Sequence, residues 1–189
     1  MASDQVTPRE RLLDVLITHL GEHGLRDMSL RGLASAAGTS HRMLSYHFGS
    51  RDGLLVALTQ EVERRQLTAL ADLRSEPDAS PTDVMWSMYR RLTDPALWPL
   101  ERLFFELYTR ALQAEPAGRG FSQDAVEGWI APLAPLFERL GFRDADAIAE
   151  ARLAIGVCRG LLLDLLATGD RTAVDAAMSR YMDRYDKPR

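Results

Sequence analysis

An all-α fold of about nine helices is what this 189-residue sequence predicts. Three observations carry it. Helix-start signatures recur along the chain, apolar residues return at three- and four-residue spacing, and no stretch alternates apolar and polar as a half-buried strand must. The first helix follows from Thr7-Pro8-Arg9-Glu10: a capping hydroxyl, a proline at the first helical position and a carboxylate at the third, with Leu13, Leu16, Ile17 and Leu20 behind them. Gly21 and Gly24 suit its end. A second helix opens at Ser29, carries Leu30, Leu33, Ala34 and Ala37, and stops at Gly38. A short third runs from about Ser40 to His47, capped by Thr39 or Ser40 and closed by Gly49. Ser50 then caps a long fourth helix over residues 51–74, whose second half interleaves acids and arginines along a solvated face.

After the polar break SEPDAS, Ser80-Pro81-Thr82-Asp83 repeats the cap-plus-proline signature, leading into a helix through Trp86 and Tyr89. Asp94-Pro95 starts another, with Leu97, Leu100, Phe104, Leu107, Tyr108 and Ala111 along one stripe. Residues 121–140 predict a helix that Pro132 and Pro135 kink or divide, because each removes a backbone donor. Residues 145–167 predict a largely apolar helix, and Asp170 caps a last amphipathic one ending near Tyr185.

With 23 Lys plus Arg against 27 Asp plus Glu, the formal charge is -4. Taken globally, that opposes nucleic-acid binding, since the phosphate backbone favours cationic partners. Counting by segment changes the inference. Residues 28–51 hold Arg31, Arg42 and Arg51 with His41 and His47, and no Asp or Glu, whereas the acidic surplus lies entirely in residues 57–189. A hydrophobic share of 46% with 26% charged residues excludes disordered and collagen-like chains. The single cysteine, Cys158, cannot form an internal disulfide, which fits a reducing compartment. No apolar run is long enough to span a bilayer and the N-terminus is polar, so no membrane association and a cytoplasmic location are expected. Arginine dominates the cations, Lys187 being the one lysine, a bias that reads as G+C-rich coding.

The second and third helices are short and joined by a tight turn at Ala37-Gly38-Thr39, the spacing of a helix-turn-helix whose second member enters the major groove. The cationic island coincides with that pair, so motif and charge agree independently. At these residues the sequence resembles the tetracycline-repressor (TetR-like) family. The stretch SLRGLASAAGTSHRMLSYHFGSRDGLL follows the family's pattern at Leu33, Ala34, Ala37, Gly38, Ser40, Leu44, His47, Phe48 and Leu54. Arg51 stands where the pattern has lysine, Thr39 where it has valine, and Ser45 where it has tyrosine, with Tyr46 one position later.

The resemblance implies a DNA-binding set of Arg31, His41, Arg42, Met43, Ser45, Tyr46, His47 and Arg51. Arg31 would reach a phosphate or a base edge, and an arginine at guanine can bond O6 and N7 together. His41, Arg42 and Met43 open the recognition helix, where base readers lie. Tyr46 would pack on the sugar-phosphate wall or a thymine methyl, His47 would donate to a phosphate, and Arg51 would meet one beside the start of the fourth helix. Ser45 removes a phosphate contact, leaving open whether Tyr46 replaces it or reads bases. Leu44, Phe48 and Gly38 read as core and turn residues.

No residue set supports catalysis or a cofactor. His19 and His23 lie four apart, but no third ligand completes a metal site and Glu22 does not give the H-E-x-x-H order. Neither a phosphate-binding glycine loop nor a nucleophile elbow occurs. Cys158, within an apolar helix, reads as a small buried hydrophobe.

Aromatic residues are concentrated beyond residue 80. Met85, Trp86, Tyr89, Trp98, Phe104, Tyr108, Phe121 and Trp129 are candidates to wall a mostly apolar ligand cavity, with Arg159 as a polar anchor beside Arg102, Glu106, Arg110 and Gln123. Gly156, Gly160 and Leu163 mark a face through which the penultimate helix can approach another helix closely, and the resemblance implies a two-fold four-helix interface there.

The expectation is therefore a DNA-binding domain over residues 1–50 and a ligand-binding and dimerisation domain over 51–189. Together they would make a homodimeric repressor, not an enzyme, released from double-stranded, pseudo-palindromic operator DNA by a small apolar or aromatic molecule. The alternative is an all-α binding or sequestering protein without operator function, which would not require the 28–51 island.

Overall fold

The computed structural model describes residues 7–23, 29–76, 78–113 and 119–185. Among these residues the elements are nine α-helices and one 3-10 turn, with no strand. In order they are α1 (Pro8–His23), α2 (Leu30–Ala36), α3 (His41–Phe48), α4 (Arg51–Arg74), α5 (Pro81–Leu92), the 3-10 turn Pro95–Leu97, α6 (Trp98–Gln113), α7 (Arg119–Arg139), α8 (Asp144–Thr168) and α9 (Arg171–Met182). No helix of the described residues is long and apolar enough to cross a membrane.

The starts follow the side chains that the sequence offers. At α1 a reciprocal box forms: the Thr7 N–H donates to Glu10 Oε2 at 2.7 Å and the Glu10 N–H to Thr7 Oγ1 at 3.2 Å. The Thr7 N–H, and then the Thr7 hydroxyl, hold the Glu10 carboxyl below its ordinary value. Ser29, Ser40, Ser50, Ser80 and Asp170 each accept a backbone N–H from the third residue of the helix that follows. Two elements depart from the sequence reading. The Asp94-Pro95 start becomes a 3-10 turn before α6 begins at Trp98. Helix α7 runs undivided through Pro132 and Pro135. The carbonyls those prolines cannot pair belong to Gly128 and Ala131, small residues on the exposed side of the helix, where water can satisfy them. Gly24 lies outside the described residues.

The chain divides into two compact units. The first comprises residues 1–64 and 95–107. In it α1 packs on α2 and on the 3-10 turn, and α2 packs on α3. Leu13, Leu16, Leu20, Leu33, Leu44, Leu54, Leu55 and Leu58 are each at most 1% exposed, so this small unit is held by closely packed leucines. Truncating one to alanine costs about 2–5 kcal/mol.

The second unit comprises residues 65–94 and 108–189. Here α7 packs against α5 and α8, and α8 against α9, around buried Met88, Trp129, Leu136, Phe137, Ile155, Leu162 and Met178. Polar contacts tie the helices pairwise. The Tyr89 hydroxyl donates to Asp175 Oδ1 at 2.7 Å, the Arg171 guanidinium bonds both the hydroxyl and the carbonyl of Thr93, and Arg91 Nε donates to the buried Gln66 Oε1 at 2.6 Å. At the C-terminal end, Tyr185 donates to Glu150 Oε2 at 2.7 Å within an aromatic group of Phe137, Phe142 and Tyr181.

Candidate nucleic-acid interface

The turn between α2 and α3 is built by backbone bonding. Gly38, at φ 62°, donates to the Ser35 carbonyl at 3.1 Å, and the Thr39 N–H reaches back to Ala34 at 2.9 Å. This pair of bonds ends a helix on a left-handed residue, the position that glycine occupies without strain. Ser40 then starts α3 two residues later, its hydroxyl accepting from the Met43 N–H at 3.2 Å.

Helix α3 is amphipathic over only two turns. Leu44 is fully buried, while Met43 is 42% and Tyr46 79% exposed. Arg42, Met43 and Tyr46, at three- and four-residue spacing, share one outward face with His41 beside them. A tyrosine so exposed leaves much of its ring available to a partner. Arg31 on α2 is likewise exposed, and neither Arg31 nor Arg42 has an acid partner among the described residues. Ser45, the departure from the family pattern, is half-buried. His47 is half-buried too, and its Nε2 is enclosed with no hydrogen-bond partner; the ring stands edge-on to Tyr46 at 5.0 Å. Arg51, in the first turn of α4, lies 4.0 Å from Asp52.

Two features at the end of α3 escape sequence reasoning. Gly49 sits at φ 74°, ψ -65°, and the Ser50 N–H donates to the Phe48 carbonyl at 2.9 Å, closing a γ-turn. Gly53, one turn into α4, rests against the same carbonyl so closely that a Cβ there would overlap it. Helices α3 and α4 are therefore joined by a short elbow that only glycine at both positions permits.

The proposed ligand residues fall into both units. Trp98 and buried Phe104 belong to the first, where Arg102 lies over the Trp98 ring and Phe104 meets Phe105 edge-on. Met85, Trp86, Tyr89, Tyr108, Trp129 and Arg159 belong to the second. Of these, Met85, Tyr89 and Trp129 are buried; burial, and then the Asp175 carboxylate, push the Tyr89 hydroxyl well above its ordinary range. Arg159 lies 5.8 Å over Tyr108 and donates to the Ala125 carbonyl, bringing those two candidates together between α6, α7 and α8. Glu106 is exposed. The side chains of Arg110, Phe121 and Gln123 lie outside the described residues. On α8, Gly156 and Gly160 are exposed, with open space where a Cβ would be, and Leu153 and Leu163 flank them at 40% and 53% exposure. His19 and His23 stack on α1 at 4.3 Å, and no group of three or more metal-ligating side chains occurs among the described residues.

A helix-turn-helix that presents cations and an exposed tyrosine is an arrangement suited to nucleic acid. Residues 12–58 match the family model of bacterial regulatory proteins, tetR family. An HTH-type transcriptional regulator BetI from Stenotrophomonas maltophilia is 31% identical over 75 residues, a match covering 40% of this chain and 38% of that protein. The chain thus aligns with well under half of that curated relative's length. Over the whole fold, a TetR transcriptional regulator from Legionella pneumophila superposes with a TM-score of 0.72 at 20% identity, covering 97% of this chain and all of that one. A transcriptional regulator from Saccharomonospora viridis, solved in complex with choline, does so at 0.64 and 20% identity, covering 94% of each chain. Residues 12–58 are thus similar in sequence to the tetR family of regulatory proteins, and the chain along its length is similar in fold to solved TetR regulators.

Proposed function

We propose that the protein is a homodimeric transcriptional repressor that leaves a pseudo-palindromic operator when a small molecule binds its helical body. The observation carrying this reading is the outward face of α3, where Arg42, Met43 and Tyr46 stand exposed on a helix presented by a helix-turn-helix. Arg42 and Tyr46 are assigned to base edges, with Tyr46 also suited to a thymine methyl, and Met43 to apolar contact in the groove. His41, Arg31 and Arg51 are assigned to phosphates or neighbouring edges. His47 can donate from Nε2 only if its ring turns to release that nitrogen. Ser45, half-buried, is left with a short-range polar contact at most.

For the ligand, the pairing of Arg159 with Tyr108 beside α7 supports an apolar or aromatic molecule carrying one polar group. The choline complex of the Saccharomonospora protein is in keeping with a small-molecule site in a body of this fold. The dimer is assigned to α8, where Leu153, Gly156, Gly160 and Leu163 recur along one exposed stripe, and two heads would meet successive major grooves about 34–36 Å apart. Operator binding and repression place the protein with DNA in the cytoplasm.

A mobility-shift titration against DNA flanking its own coding region tests this. Wild-type protein should shift a discrete fragment with salt-dependent affinity, and Arg42→Ala should weaken the shift at least tenfold, the cost of about one bidentate base contact. Equal binding to flanking and unrelated fragments would reject the reading.

A further inference from the structure

The cationic island read from the sequence begins at residue 28, yet the folded head brings one more cation to the recognition helix. Arg9 lies at the second position of α1, where the Thr7–Glu10 box fixes the backbone. Its guanidinium carbon stands 5.2 Å over the ring of Phe48, the last residue of α3. Phe48 in turn is joined through the Gly49 γ-turn to Ser50 and Arg51 at the start of α4. Arg9 is exposed and has neither an ion pair nor a side-chain hydrogen bond among the described residues. Its neighbour Glu10 accepts the Thr7 N–H instead and forms no ion pair with it. A cation over a ring face uses its charge but not the N–H donors at its edge, so this arrangement orients the side chain while keeping all five donors available.

We infer that Arg9 is a further DNA-phosphate contact, held at the C-terminal end of the recognition helix by the Phe48 ring. The inference rests on the DNA-binding reading above and adds to it a residue 19 positions before Met28, where the sequence island begins. Its chemistry is sequence-independent: guanidinium to phosphate oxygen fixes the register of the head and reads no base. Phe48 therefore has two functions, a partly buried packing residue on one side and a platform for Arg9 on the other.

The test uses the full chain and the flanking fragment bound by wild type, with affinity measured across a salt series. Arg9→Gln should weaken binding roughly tenfold at moderate salt. For a dimer, losing one contact per head should make the slope of log K against log salt shallower by about 2. The ratio of affinities for the operator and a base-altered operator should not change. Arg11→Gln, an exposed cation on the same helix with no ring beneath it, should have a markedly smaller effect. Phe48→Leu should move the slope in the same direction as Arg9→Gln but less; if that variant fails to fold, the two arginine variants carry the comparison. An Arg9→Gln protein with wild-type affinity and slope would overturn the assignment while leaving operator binding intact, and so would a loss of base discrimination. Absence of wild-type binding to any fragment would overturn both.

Discussion

Replacing Gly53 by alanine is the sharpest structural perturbation available in the head. In an ordinary helix the change would stabilise by roughly 0.5–1 kcal/mol, because alanine gives up less backbone entropy. Here the added methyl would meet the Phe48 carbonyl oxygen inside 3.0 Å, a separation that real Cβ atoms essentially never show. That oxygen cannot withdraw without cost, since it accepts the Ser50 N–H at 2.9 Å in a turn already constrained at Gly49. Moving α4 instead breaks the bond from the Gly53 N–H to the Ser50 hydroxyl at 3.0 Å, worth about 1 kcal/mol as a cap. Overpacking adds about 1–3 kcal/mol. After the propensity gain is subtracted, Gly53→Ala should destabilise by about 1–3 kcal/mol. It should also weaken operator binding, because the elbow sets the direction of α3 relative to the first turns of α4. Urea unfolding followed by circular dichroism measures the first effect, with Gly128→Ala as the control. Gly128 lies in α7 with open space at its Cβ, so alanine there should raise stability by about 0.5–1 kcal/mol. A Gly53→Ala protein as stable as wild type, with unchanged affinity for DNA, would refute the elbow.

Other expectations follow from the second unit and from α4. Tyr89→Phe removes the bond to Asp175 and should cost about 1 kcal/mol in a denaturant titration; no loss would mean that solvent already satisfies both groups. Burial holds the Tyr89, Tyr181 and Tyr185 hydroxyls above the ordinary tyrosine value. The folded state then keeps protons that the unfolded chain releases, so their stabilisation is complete below about pH 10 and falls as pH rises through the folded values. A stability profile that stays flat through alkaline unfolding would contradict this. Leu163→Glu should convert the proposed dimer to monomer in sedimentation velocity without loss of helicity, and a variant that remains dimeric would move the interface off this stripe. Inserting Gly-Gly into the middle of α4 should leave binding to DNA measurable while abolishing its release by ligand; retained release would mean that the signal travels by another route.

Much of the architecture was legible because helix ends are written locally. Thr7, Ser29, Ser40, Ser50, Ser80 and Asp170 cap where short polar residues precede an apolar period. Pro132 and Pro135 do not divide α7, because a proline's cost depends on what surrounds the orphaned carbonyl, which lies four residues back and, here, on the exposed side of the helix. Asp94-Pro95 correctly marked a start, but the chain takes a tighter turn before α6. The exposure of Arg42, Met43 and Tyr46 on α3 agrees with the face to which the island and the motif together point. Contacts set by tertiary packing were not. Nothing local pairs Tyr89 with Asp175, 86 positions away, or Gln66 with Arg91, and nothing local lays Arg9 on Phe48. The enclosure of His47 Nε2 likewise depends on how α3 seats against its neighbours rather than on its sequence neighbours.

The claim on which the rest depends is that two copies of α3 read one operator. Hydroxyl-radical footprinting of the wild-type protein on its bound fragment tests it most directly. Two protected patches are expected on one face of the duplex, related by two-fold symmetry and centred about one helical turn apart, about 10–10.5 base pairs, both lost together in Leu163→Glu. A single patch, or protection that survives the loss of the dimer unchanged, would contradict it.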